Sequence, residues 1–413
     1  MVRWGGAGMR GANSPAGLHG FFNTLGLGPM TPGSAAPAQP GDADAFPADS
    51  SYKEDRMGAF PVTRVAASRK PDIDYGNLRF GVYFTDHMFV MDYSNGAWHS
   101  PRIVPNEPMA ISPANMTFHY GQAVFEGLKA FRRADGRVVL FRPERHVARL
   151  NRSSRALCIP EVDEETVMAG LRQLVALEQD FVPAQRGHSL YIRPFIIAMD
   201  NLLGVQSSQS FRLIVLLSPV AAYYPEGMKP VRLHVAMHHS RAAKGGLGMA
   251  KTPANYAASL LPAKRAKEKG FTQVLWLDAT EHKYIEEVGT MNIFFKINGE
   301  LYTPPLDGDT ILSGITRMSV IELCRSWGTP VHEQRVSIQR LSEAHHAGEL
   351  EEVFGTGTAA VISPVGEIHY NNETMNINNM QIGPMAQRLY DTITGIQYGE
   401  VPDTFDWTVT IED

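Results

Sequence analysis

Apolar and polar positions alternate or cluster in a way that divides the chain from Tyr52 onward into strands and helices. Phe89-Val90-Met91-Asp92-Tyr93 and Ala97-Trp98 flank Ser94-Asn95-Gly96. That pattern predicts a hairpin, because Asn-Gly accepts the positive φ angles of a tight turn. Asp135-Gly136 turns into the strand Val138-Val139-Leu140-Phe141. Pro143 then opens a helix running to about Leu157, proline being at home at a helix start. Between Glu164 and Phe181 the residues Val167, Leu171, Leu174, Val175 and Leu177 recur at helical spacing. Strands are expected at Leu190 to Ala198 and at Phe211 to Leu217.

Tyr223 to Pro230 reads YYPEGMKP, a linker-like run of prolines, glycine and polar residues. Beyond it a strand is expected at Val231 to Met237, then a Gly-rich loop around Lys251 and a helix to Lys269. Further strands are expected at Gln273 to Leu277 and Asn292 to Ile297. Asn298-Gly299 makes a second hairpin turn, and Thr316 to Trp327 reads as a helix. Helices and strands interleave throughout, so the expected class is α/β or mixed α+β. The expected division is a small domain over 52–224, a linker over 225–237 and a larger domain over 238–413. Residues 1–51 differ in character: they hold ten Gly and six Pro, with no acid before Asp42. They read as a disordered extension, or as a start placed too far upstream.

Composition narrows the function classes. The 413 residues are 44% apolar and 20% charged, with a net charge of -5, so no basic footprint points to nucleic acid or to an anionic membrane. Cys158 and Cys324 are the only cysteines, too few for a disulfide framework or a cysteine metal site, which favours a reducing, cytoplasmic setting. The most apolar stretch, Phe211 to Tyr224, contains Arg212 and Pro219 and is too short to span a bilayer.

The candidate chemistry centres on Gly245 to Ser259, GGLGMAKTPANYAAS. Gly245, Gly246 and Gly248 let the backbone approach a ligand closely. Lys251 stands five residues before Tyr256, and a desolvated lysine can condense with an aldehyde cofactor. Gly245 to Thr252 nearly fits the phosphate-binding loop G-x-x-x-x-G-K-[ST], but Ala250 occupies the place of the second glycine and Pro253 falls at once afterwards. Glu287, at the mouth of the strand starting near Met291, can keep a pyridine nitrogen protonated. Its neighbour Glu286 points the other way on a strand and reads as structural. Together Lys251 and Glu287 suggest pyridoxal phosphate. The pairs His238-His239 and His345-His346 have no partner at ligand spacing in the sequence, so they read as surface residues and no metal is expected.

These residues sit within six blocks: Phe118-His119-Tyr120-Gly121-Gln122-Ala123-Val124-Phe125-Glu126-Gly127, Tyr191-Ile192-Arg193-Pro194, Lys251 with Asn255-Tyr256, Glu287-Val288-Gly289-Thr290-Met291-Asn292, Ser313-Gly314-Ile315-Thr316-Arg317, and Phe354-Gly355-Thr356-Gly357-Thr358-Ala359. In that order they make the chain resemble the branched-chain amino acid aminotransferases, of the fold type IV pyridoxal phosphate family. The resemblance implies a small N-terminal α/β domain and a larger C-terminal domain with a pseudo-barrel sheet, assembled as a homodimer. It implies that Lys251 forms the Schiff base and shuttles the proton, that Glu287 pairs with the pyridine nitrogen, and that Tyr256 bonds the cofactor's phenolic oxygen. Arg149, Ile315 and Thr316 hold the phosphate, with Thr290 and Thr358 also at the cofactor. Phe80, Tyr120, Phe125, Tyr191, Met291 and Ala359 line the substrate pocket with Thr290. The Thr358 to Ala359 turn takes the α-carboxylate, aided by Tyr120, and Arg193 meets the second carboxylate of glutamate. The implied reaction moves an amino group reversibly between leucine, isoleucine or valine and 2-oxoglutarate, by a ping-pong mechanism.

One departure and three rivals remain. Animal members carry a C-x-x-C pair just after the Gly-Thr-Ala turn; here those positions are Ala360 and Ser363, so no thiol switch is expected. Within the fold the rivals are a D-amino acid aminotransferase and an aminodeoxychorismate lyase, against which Phe125-Glu126-Gly127 and the apolar pocket speak. Outside it the rival is a protein that binds the cofactor without turnover.

Overall fold

Asn95 and Gly96 take up φ angles of 52° and 83°, and the hairpin they turn joins His87–Ser94 to Ala97–Pro105. The computed structural model describes residues 60–222 and 228–412, together with the backbone of Glu54–Asp55. The expected extension over 1–51 and the start of the expected linker lie outside the described residues. Later in that linker, Val231–Val235 is a strand, lying parallel to Gln273–Leu277 on one side and to Val361–Tyr370 on the other.

The described strands form two sheets. The first has ten strands and is almost wholly antiparallel. At its centre Phe211–Val220 pairs with both His87–Ser94 and Ser189–Ala198. The C-terminal strand Thr408–Thr410 returns to this sheet and pairs with Val138–Phe141, so both ends of the described chain contribute to it. The second sheet has nine strands, mixed in direction, and curls into a half-barrel. The class is therefore mixed α/β, as the interleaved pattern predicts.

Apart from Ile315–Ser326, the described α-helices start at a capping side chain or a proline. Asp163 accepts a hydrogen bond from the Thr166 amide at 2.8 Å and caps Glu164–Leu177, satisfying a donor that has no partner inside the helix. Ser337 does the same for Ile338–His346. Pro143, Pro253 and Pro384 open their helices at the first turn, where a missing N–H leaves no intrahelical bond unmade. The expected helix over Glu164 to Phe181 breaks into that helix and a 3-10 turn, Gln179–Phe181.

Among the described residues, three of the apolar clusters hold the layers. Leu150, Leu171 and Leu174 pack on Phe89, Ile192 and Leu213 of the first sheet. Leu233, Leu275, Ile293, Phe295 and Leu341 fill the half-barrel. The third cluster joins the two sheets: Phe131, Val139 and Phe141 from the first meet Phe294 and Phe354 from the second, under Leu389 and Ile393 of the helix Pro384–Tyr398.

Helix and sheet pack closely at Gly170, where a Cβ would come within 2.6 Å of the Phe89 ring. That ring is fully buried and has nowhere to go. Gly170→Val is expected to destabilise the fold by about 1–3 kcal/mol through overpacking, read as a lower urea midpoint. An unchanged midpoint would contradict this close approach.

Candidate active site

Lys251 lies in the loop between Val231–Val235 and the helix Pro253–Glu268, and that loop is stitched to the first sheet. The Lys251 carbonyl accepts from the Phe125 amide at 2.9 Å, and its own amide donates to Ser153 Oγ at 2.9 Å. The Thr252 hydroxyl, in place of capping its helix, donates to the Ala123 carbonyl at 2.8 Å. The lysine amine is thereby aimed along the Phe125 ring, 4.7 Å from its centroid, and reaches the Tyr256 hydroxyl at 2.7 Å. Lys251 stands just before the helix N-cap and Tyr256 lies in the first turn, so the turn brings the hydroxyl back to the amine.

Glu287 is a buried residue of the strand Ile285–Val288. Its Oε1 accepts from the Leu312 amide at 2.9 Å, and its Oε2 lies 2.9 Å from Arg241 Nε. Burial pushes its acidity constant above the ordinary carboxylate value, against the pull of Arg241 and of the Leu312 amide. A cation placed against this carboxylate would supply what its burial leaves short. Glu286 does face the other way, as expected, and accepts from the Thr310 hydroxyl at 2.5 Å.

Arg149 sits on the helix Pro143–Ala156 and is also buried. Its Nε and Nη2 donate to the two oxygens of Glu126 at 2.7 and 2.9 Å, and its Nη1 to the Ser313 carbonyl at 2.9 Å. Those bonds use three of the five N–H groups of a guanidinium. Glu126 also takes His146 Nδ1 at 2.8 Å. Burial acts to raise the Glu126 constant, but Arg149 and His146 outweigh it and hold the group well below the carboxylate range. Beside Arg149 the helix Ile315–Ser326 begins with no side-chain cap and no acid in its first turn, so its leading amides are free to meet an anion.

Lys251, Glu287, Arg149 and the start of Ile315–Ser326 border one cavity of about 380 Å³, the volume of a small-ligand site. Lys251, Tyr256, Glu287 and Thr290 line it, with Arg149, Ile315, Thr316 and Thr358. So do Phe80, Phe125, Tyr191, Arg193, Met291 and Ala359 of the expected substrate set. Tyr120 does not. It sits half-exposed, and its hydroxyl donates to the Leu203 carbonyl. Arg193 is held by the Tyr191 hydroxyl at 3.0 Å and lies 4.8 Å over the Phe125 ring, while its buried Nε has no partner among the described residues. The buried Thr356 hydroxyl, at the same cavity, also lacks one. Unsatisfied buried donors are uncommon in folded proteins, and here they line a ligand-sized space. Gly127 keeps that space open, since a Cβ there would fall 1.9 Å from the Tyr191 hydroxyl.

Several supporting residues were not anticipated. Arg241, which pairs with Glu287, is a lone arginine in a loop and carries no sequence signal. Glu126 lies inside the Phe-Glu-Gly block, whose regularity could have marked it. Lys129 is buried behind the Thr358 to Ala359 turn and donates to the Ala359 carbonyl at 2.9 Å; desolvation lowers its constant to about 8. Asp278, just after the strand Gln273–Leu277, accepts from the amides of Thr280, Glu281, Lys283 and Tyr284 and is committed to a turn.

Residues 123–368 match the family model described as amino-transferase class IV. The chain is 56% identical over 348 residues to branched-chain-amino-acid aminotransferase 2 of Bacillus subtilis (strain 168), covering 84% of this chain and 96% of that protein. It is equally similar, 56% over 340 residues, to branched-chain-amino-acid transaminase 1 of the same organism, covering 82% and 95%. The chain belongs to the class IV branched-chain amino acid aminotransferases. Solved class IV aminotransferases share the fold. The branched-chain amino acid aminotransferase of Escherichia coli aligns with a TM-score of 0.64 at 26% identity, covering 79% of this chain and 99% of that one. The enzyme of the thermophilic archaeon Thermoproteus uzoniensis, solved with norvaline, aligns at 0.65 and 26%, covering 79% and 100%.

The Glu126–Arg149 pair makes the stability of this aminotransferase pH-dependent. Because the folded-state constant of Glu126 is depressed, its contribution is fully present above the ordinary carboxylate value and is lost as pH falls through the folded one. Glu126→Gln is expected to cost about 3–5 kcal/mol at neutral pH, as an uncompensated buried guanidinium does. The gap to wild type should close as the solution is acidified below the carboxylate range. A gap that stays constant in denaturant titrations across pH would contradict the pairing.

Proposed function

We propose that this cavity binds pyridoxal phosphate and transfers an amino group between leucine, isoleucine or valine and 2-oxoglutarate. The observation that carries the reading is the convergence of the Lys251–Tyr256 pair, buried Glu287 and Arg149 on one space. The donor set fits the cofactor end for end: Arg149 and the leading amides of Ile315–Ser326, with the Thr316 hydroxyl, suit a phosphate. Glu287 suits a protonated ring nitrogen, and Tyr256 a phenolic oxygen. Thr290 and Thr358 complete the contacts to it.

When bound, pyridoxal phosphate carries the amino group and draws electrons away from the substrate α-carbon. The protein's part is positional. The Lys251 amine, fixed by its loop and by Tyr256, would hold the cofactor's aldehyde covalently. Its nitrogen is placed to take up and return a proton at the substrate α-carbon. Glu287 keeps the ring nitrogen protonated. The Thr358 to Ala359 turn, braced from behind by Lys129, receives the α-carboxylate. Phe80, Phe125, Tyr191 and Met291 read a branched side chain by fit, since such a chain offers only methyl groups. Arg193, with an unsatisfied Nε and an aromatic rest, meets the second carboxylate of glutamate when that donor enters.

The D-amino acid aminotransferase and aminodeoxychorismate lyase readings are not favoured, given relatives at 56% identity that bear the branched-chain name. We further read the protein as a cytoplasmic homodimer of two-domain chains divided near residues 225–237. Both cysteines are free, which supports a reducing compartment. Among the described residues no helix is long and apolar enough to cross a membrane. Phe118, Tyr120, Leu203 and Val205 are exposed apolar side chains, and a second copy covering them would account for their exposure.

Lys251→Ala should abolish transamination while leaving circular dichroism and the thermal midpoint near wild type. Retained turnover would refute the assignment. Arg193→Met should raise the KM for glutamate and for 2-oxoglutarate by about 10–100-fold, the worth of a charged hydrogen bond, with the KM for leucine little changed. Equal effects on glutamate and leucine would remove Arg193 from this role.

A further inference from the structure

We propose that His345, His346 and Glu373 form a binding site for a divalent transition-metal ion of the zinc type, apart from the cofactor cavity. The two histidines end the helix Ile338–His346, and Glu373 begins the strand Glu373–Asn376. In sequence His346 and Glu373 are 27 residues apart. The turn at Asn371 and Asn372, both with positive φ, folds that strand back on Val361–Tyr370 and carries the carboxylate to the helix end. One ligating atom from each of the three residues then lies within 4.8 Å of the others, close enough for one ion to draw together at bond lengths near ~2 Å.

What separates this trio from a chance surface cluster is how each side chain is held. His345 Nε2 lies 3.1 Å from the Asn376 carbonyl. A carbonyl only accepts, so Nε2 carries the hydrogen and Nδ1 the lone pair. That Nδ1 is buried and has no partner among the described residues. His346 Nδ1 lies 2.9 Å from the Ser342 carbonyl, which by the same logic leaves the lone pair on Nε2. Nε2 points at Glu373 Oε1 from 3.0 Å. The other carboxylate oxygen accepts from the Ser342 hydroxyl at 3.3 Å. Every ligand candidate is thus oriented by a second group, the arrangement by which protein metal sites fix tautomer and aim.

A nitrogen lone pair facing a carboxylate oxygen is repulsive unless a cation shares the space. A proton on His346 could be that cation, giving an ordinary surface ion pair. It would leave the His345 nitrogen unsatisfied. A metal ion satisfies all three at once, with water as a fourth ligand, and two imidazoles plus a carboxylate are a donor set that zinc accepts. The consequence is structural: the ion would tie the end of the helix to the edge of the half-barrel sheet.

The test is calorimetric titration of zinc chloride into the full-length, cofactor-loaded protein after removal of metal with EDTA and dialysis. Wild type should bind one zinc per chain at this site, and His346→Gln and Glu373→Gln should each weaken that binding by at least about tenfold. Both variants should keep wild-type aminotransferase activity, which shows that they fold. If wild type takes up no zinc, or if both variants bind it as tightly as wild type, the proposal fails.

Discussion

Three hydrogen bonds place the lysine proposed to carry the chemistry. The Phe125 amide, Ser153 Oγ and the Ala123 carbonyl all belong to the first sheet and its helix, yet they hold Lys251 and Thr252, which lead into a helix packed on the second sheet. A flexible four-carbon side chain has no preferred direction of its own. Its aim is set by the backbone at its root, and here that backbone is fixed from across the seam. The candidate site is therefore a product of how the two sheets meet.

The seam is also where the electrostatics are arranged. Glu126, directly after the strand Ala123–Phe125, turns towards Arg149 and locks the guanidinium with two bonds, while His146 completes the buried cluster. Across the cavity Glu287 is tied to Arg241 and the Leu312 amide. The two acids differ in the direction of their shifts because their surroundings differ. Glu126 has a full cation in bidentate contact, whereas burial dominates at Glu287. One end of the cavity is thus a fixed cation with a spare face, and the other a carboxylate that gains from a further positive charge.

Much of this was legible in the residues. Hairpins at Asn95-Gly96 and Asn298-Gly299 followed from turn chemistry alone, and the strands Gln273–Leu277 and Asn292–Ile297 fall where the apolar runs end. Glu286 and Glu287 face apart because a strand must alternate. Pairings distant in sequence were not legible. Nothing local ties Arg241 to Glu287, Lys129 to Ala359, or Glu373 to His346, because each pair meets only after the sheets close. The return of Thr408–Thr410 to the first sheet is of the same kind. Tyr120 shows the reverse: a residue in a strongly patterned block that its own chain does not bring to the cavity.

The account rests on one amine being the group that links to the cofactor. Borohydride reduction of the protein loaded with pyridoxal phosphate, followed by peptide mapping, tests this most directly. The account predicts a single stable adduct on the peptide that contains Lys251. An adduct on any other lysine, or none at all, would contradict it.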